Sequence, residues 1–177
     1  MPSDSRFSKD DAYRILELIN SWINNVDTKI SFALAYAAVL IGVVFYSAGT
    51  VPAAIQIYLD ADQRYFGMIF SMMLVICLYI SSLLSIIMLL RAMIGRTKNI
   101  SGKSSMLFFG TIAKMKMSDY QSEIMGMDDE ALIKDLTEQI HTNAIICSKK
   151  FKYYNYGICF LLAATILCFV CMVFQLI

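Results

Sequence analysis

FGMIFSMMLVICLYISSLLSIIMLL, residues 66–90, contains no Asp, Glu, Lys, Arg or His. At a rise of about 1.5 Å per residue, roughly 20 apolar helical residues cross a hydrocarbon core of about 30 Å, so this stretch is long enough to span a bilayer. Two others match it: ISFALAYAAVLIGVVFYSA at 30–48 and GICFLLAATILCFVCMVFQLI at 157–177. A soluble core helix would keep a polar face, and none of the three does. The fold class expected is an all-α membrane protein with three transmembrane helices and a small cytoplasmic, mainly helical domain. Its order is an amphipathic helix at 1–29, spans at 30–48, 66–90 and 157–177, an outer connection at 49–65, and a cytoplasmic region at 91–156.

Composition agrees, with 58% hydrophobic and 16% charged residues, against roughly 45–50% and about 25% in soluble domains. The net charge of +1 hides an asymmetry: residues 91–152 hold ten Lys or Arg against seven Asp or Glu, whereas 49–65 hold only Arg64 against Asp60 and Asp62. Positive charge stays inside, so the amino terminus and the central region are expected in the cytoplasm and the carboxyl terminus outside. The first apolar stretch begins too late and runs too long for a cleavable signal peptide. Cys77, Cys159, Cys168 and Cys171 fall within spans and read as small apolar side chains, while Cys147 is expected on the cytoplasmic side.

Ala12, Leu16, Ile19, Ile23, Val26 and Ile30 recur at alternating steps of four and three, the period of a helix seam. Ser8, with Asp10 and Asp11 behind it, suits a helix start, and no Pro or Gly intervenes before Gly42. One helix is therefore expected from about Lys9 through the first span, ended by Gly49 to Pro52. Residues 95–105 read as a turn region, and Met106 to Ile112 as a short strand or an ordered loop. Ser118 or Asp128 offers a cap, the second better supported by the acids Asp129 and Glu130. Leu132, Leu136, Ile140, Ala144, Cys147 and Phe151 then share a face. That helix can continue into the third span, about 50 residues and roughly 75 Å in all.

Catalytic raw material is scarce. The single histidine, His141, supplies almost nothing for a metal site or a Cys/His pair, and GxGxxG, P-loop and G-x-S-x-G motifs are absent, which argues against an enzyme. Basic residues are too dispersed for nucleic-acid tracking, and Phe151, Tyr153, Tyr154 and Tyr156 suit an interfacial aromatic belt. Without ionisable groups in the spans, ion-coupled transport is disfavoured. Ala33 with Ala37, Ala38 with Gly42, and Ser81 with Ser85 are small-xxx-small pairs that permit close helix approach, within one chain or between copies.

Two stretches resemble a known family. Trp22, Asn25, Asp27 and Lys29 lead directly into a span; FFG at 108–110 with Ile112 is followed by DLTEQIHTN at 135–143 and by Lys149, Lys150 and Phe151. This layout is similar to the transmembrane effectors of bacterial Pycsar and related CBASS anti-phage systems. The resemblance implies an oligomeric inner-membrane protein whose region 91–156 senses a cyclic nucleotide made by a partner cyclase and then permeabilises the membrane. No other cofactor and no nucleic acid is implied. A cyclic nucleotide needs cations or N–H groups for phosphate and an aromatic face with an amide or imidazole edge for its base. Arg96, Lys98, Phe109, Gln139, His141, Asn143 and Lys150 supply these types. Gln139, His141 and Asn143 span little more than one turn, so they cannot all share the face of Leu136 and Ile140. The competing class is a holin-like pore former or assembly factor without nucleotide input.

Overall fold

A computed structural model describes residues 7–47, 65–94 and 105–176. They form α1 (Lys9–Ser47), α2 (Tyr65–Met93), α3 (Phe109–Ile112), α4 (Met117–Met125) and α5 (Asp129–Val173), with no strand among the described residues. Three helices are long and apolar enough to cross a membrane, within Lys9–Val44, Ile69–Met93 and Asp129–Val173. α1 runs unbroken from the amphipathic arm into the span. α5 does the same in the same order over 45 residues, about 68 Å. The two inter-element stretches 48–64 and 95–104 lie outside the described residues, and with them the expected helix stop at Gly49 to Pro52, most of the outer connection and most of the turn region.

The helix starts follow side-chain chemistry. Ser8 Oγ accepts from the Asp11 backbone N–H at 3.2 Å, and Asp11 Oδ2 accepts from the Ser8 N–H at 3.1 Å, a reciprocal box that satisfies free donors at the start of α1. The Ser8 hydroxyl also donates to Asp11 Oδ2 at 2.7 Å, and this bond, with the one from the Ser8 backbone N–H, holds the Asp11 carboxyl below its ordinary range. At α5, Asp128 Oδ1 accepts from the Ala131 N–H at 2.7 Å. Ser118 caps nothing: α4 begins at Met117 after Lys116 without a side-chain cap, and the Ser118 hydroxyl turns to Asp119 instead.

Residues 106–112 form no strand: 106–108 are an ordered turn, and 109–112 add a single helical turn. The Met106 N–H is taken by Asp135 Oδ2 at 2.9 Å, and Thr111 and Ile112 both donate back to the Phe108 carbonyl, closing the single turn of α3. A side-chain acceptor and local bonds leave no backbone row free for a ladder. Gly110 suits this turn, since a Cβ there would fall 2.6 Å from the Phe108 ring.

The chain forms two compact units, one of residues 1–26 with 94–150 and one of 27–93 with 151–177. In the second, buried positions recur by fours and threes on every helix: Ile30, Ala33, Ala37, Leu40 and Val44 on α1; Leu78, Ser82, Ser85, Leu89 and Ala92 on α2; Gly157, Leu161, Ala164, Cys168 and Cys171 on α5. This spacing of 3.5 residues is that of left-handed knobs-into-holes packing. α2 and α5 run antiparallel, since the Ser85 hydroxyl donates to the Gly157 carbonyl at 3.0 Å and the Arg91 guanidinium lies 5.9 Å over the Tyr153 ring. Gly157 is where they approach most closely among the described glycines, because a Cβ would meet Leu89 Cγ at 2.7 Å and the Leu89 backbone N at 3.3 Å. Tyr36 and Thr165 hydroxyls join α1 to α5 at 3.2 Å. Phe32, Val39, Leu83, Leu162 and Phe169 point outward, apolar as a lipid solvent allows.

Candidate functional site

The first unit pairs α1 up to Val26 with the start of α5, with residues 105–127 alongside. Lys9 Nζ bonds Asp129 at 3.1 Å, and Asn143 Nδ2 donates to Asn20 Oδ1 at 2.9 Å, so the two helices run parallel. Ala12, Ile19 and Val26 are buried and Leu16 and Ile23 half-buried, the seam expected from the sequence.

α5 departs from expectation. Leu136 and Cys147 are buried, but Leu132 and Ile140 are only half-buried and Ala144 is exposed, whereas Gln139, Thr142 and Lys150 are buried. The reason is that α5 has two neighbours rather than one. Asn143 meets α1, and Asp135 meets Met106; at about 100° per residue these directions differ by roughly 80°, so the covered face is broad and takes in Gln139 between them. Cys147 is correspondingly a buried thiol rather than an accessible one, and burial pushes its pKa up, with Lys150 pulling weakly the other way.

Gln139 stands out chemically. It is 5% exposed, yet its Nε2 has no hydrogen-bond partner. A buried amide donor left unpaired costs about 1–3 kcal/mol, and few buried polar groups in native proteins are left so. Asn143 lies one turn further along, half-buried and bonded to Asn20. His141 projects away from both and is exposed, and Phe109 is 64% exposed, its ring 4.7 Å from that of Phe108. Lys150 is buried and engaged. Arg96 and Lys98 lie outside the described residues. The structure therefore brings Gln139 and Asn143 to one flank and holds His141 and Phe109 at the surface.

A cleft of about 260 Å³ lies beside this flank, lined by Met106, Glu123, Met127, Ala131, Lys134, Asp135 and Glu138. Three carboxylates against one ammonium give it the wrong sign for phosphate. None of the described residues chosen from the sequence lines it. Among the described residues no His, Cys, Asp and Glu side chains gather as a metal site. Sequence reasoning did not single out Asn20, the partner of Asn143, or the role of Asp135, which holds the Met106 N–H; Asn20 was signalled only by a position beside an apolar seam, and Asp135 only as the first residue of the 135–143 motif.

The chain matches the family model described as the Pycsar effector protein domain over residues 11–177. It is 32% identical over 173 residues to the Pycsar effector protein GmPycTM of Gulbenkiania mobilis, covering 89% of this chain and 88% of that protein. It is 25% identical over 156 residues to the Pycsar effector protein PtPycTM of Propioniciclava tarda, covering 85% and 72%. No solved structure matches.

Proposed function

The chain belongs to the Pycsar transmembrane effector family, and from that membership we propose that it is a cyclic-nucleotide-activated effector that breaches the bacterial inner membrane in anti-phage defence. A partner cyclase supplies the nucleotide, the amino terminus and residues 91–156 lie in the cytoplasm, and the protein works as a homo-oligomer without catalysing a reaction. The observation that carries the reading is the buried, unpartnered amide of Gln139, next to Asn143, in the part of α5 that precedes the apolar span. An amide edge of this kind discriminates a base by hydrogen bonds, and a ligand that pairs it recovers the desolvation already suffered. Phe109 is exposed and free to stack, His141 presents an accessible imidazole, and Arg96, Lys98 and Lys150 are the cations proposed for phosphate. The uncharged spans fit a breach of the bilayer better than coupled transport.

Calorimetry of the detergent-purified protein against cyclic mono-, di- and trinucleotides tests this. Saturable binding of one class, lost in Gln139→Leu, is expected. Silence across the whole panel would leave a pore former or assembly factor without nucleotide input.

A further inference from the structure

Asn20 and Asn24 stand one turn apart on α1, and Gln139 and Asn143 stand one turn apart on α5. Both helices thus carry two amides at the same four-residue spacing, within the same unit. One rung forms between these two ladders in the observed register, Asn143 to Asn20. The offset of that rung puts Gln139 level with Leu16, a half-buried side chain with neither donor nor acceptor. The orphaned Gln139 Nε2 is what a mismatch of one turn leaves behind.

We propose that the α1–α5 pair of the first unit has a second register, in which α5 advances four residues, about 6 Å, along α1. Gln139 then pairs with Asn20, and Asn143 with Asn24, which exchanges the interaction it has in the observed register. The seam tolerates the slide because its layers recur about every 3.5 residues on both helices, so each layer moves onto the next. Residues 105–127 travel with α5, to which Asp135 ties them through the Met106 N–H. Opposing the slide are the Lys9–Asp129 pair, with its side chains 46% and 77% exposed, and the Tyr36–Thr165 bond, which the slide also breaks because both helices run unbroken; exposed pairs hold weakly. A polar rung within an apolar seam is a recognised means of setting register, and two matched ladders set two. The device supplies the two states on which the proposed ligand would act, but it is tested without ligand, so either reading can fail alone.

The test is oxidative cross-linking of the full chain in membranes, with its native cysteines replaced by Ala. Ile19→Cys with Ile140→Cys reports the observed register, and Ile23→Cys with Ile140→Cys reports the advanced one; neither pair touches an amide. Both pairs are expected to cross-link. Gln139→Leu removes the advanced rung, and Leu16→Asn gives Gln139 a partner in the observed register. Each should lower the Ile23–Ile140 yield about five-fold, the weight of one net hydrogen bond, while the Ile19–Ile140 yield holds or rises. No cross-link for the Ile23 pair, or a yield indifferent to both substitutions, would overturn the second register.

Discussion

The two units use the same 3.5-residue repeat and fill it differently. In the second unit, the seam positions are Ile, Ala, Leu, Val, Cys, Gly and Ser, and the two buried serines are satisfied by backbone carbonyls, Ser82 by Leu78 and Ser85 by Gly157. In the first, the same repeat on α5 runs beside Gln139, Thr142 and Lys150, and one amide stays unpaired. Small residues that let backbones touch favour one arrangement; polar groups that remain unsatisfied favour exchange. In the proposed function the first unit is where a ligand has free energy to gain, while the second holds the apolar stretches of the three helices long enough to cross a bilayer.

The largest effect is expected at Gly157. A Cβ there already meets Leu89 side-chain and backbone atoms, so Gly157→Leu must part α2 from α5 and cost about 3 kcal/mol, the upper end of overpacking penalties. Loss of the monodisperse form on heating in detergent, followed by chromatography, should come many degrees earlier, with Gly157→Ala in between. Unchanged melting in Gly157→Leu would show that the second unit is not tightly packed at this crossing.

Gln139→Leu should act in the opposite sense. Removing a buried orphan leaves the first unit as stable or up to about 2 kcal/mol more stable, while nucleotide response is lost. Melting and binding measured on the same preparation separate the two effects. Destabilisation would mean that the amide already has a structural partner.

How much of this could be read in advance depends on how many neighbours a residue has. The spans, the unbroken α1 and α5, and the caps at Ser8 and Asp128 depend on local sequence and on burial against one partner, and all were legible. The turn at 106–112 was not, because Asp135, more than twenty residues away, decides what its backbone bonds to. Gln139 was legible as a candidate by its type, but not as a buried orphan, since that needs two neighbours on α5 at once. Gly157 read only as the first residue of a span; its close contact is set by Leu89 on another helix.

A smaller effect contrasts Gly42 with Gly157. Nothing lies within 4 Å of a Cβ at Gly42, and Ala38 beside it is exposed, whereas Ala33 and Ala37 are used inside the chain. Gly42→Leu should therefore leave melting of the single chain unchanged and lower the oligomer mass in detergent-corrected light scattering. Unchanged mass would assign the Ala38–Gly42 face to lipid.

The smallest effect lies at the start of α1. Because hydrogen bonds from Ser8 depress the Asp11 pKa in the folded chain, its contribution is present above the ordinary carboxylate range and is lost as pH falls through the depressed value. Protection factors at residues 9–12, exchange taken relative to the intrinsic rate at each pH, should fall in acid, and Ser8→Ala should show the same loss of protection already at neutral pH.

The most direct measurement is dye release from sealed liposomes carrying the purified protein, challenged with the same cyclic nucleotides. Release triggered by one nucleotide class, silent without it and abolished by Gln139→Leu, is the predicted result. Release that is equal with and without nucleotide, or absent with every one, would contradict a ligand-gated breach of the membrane.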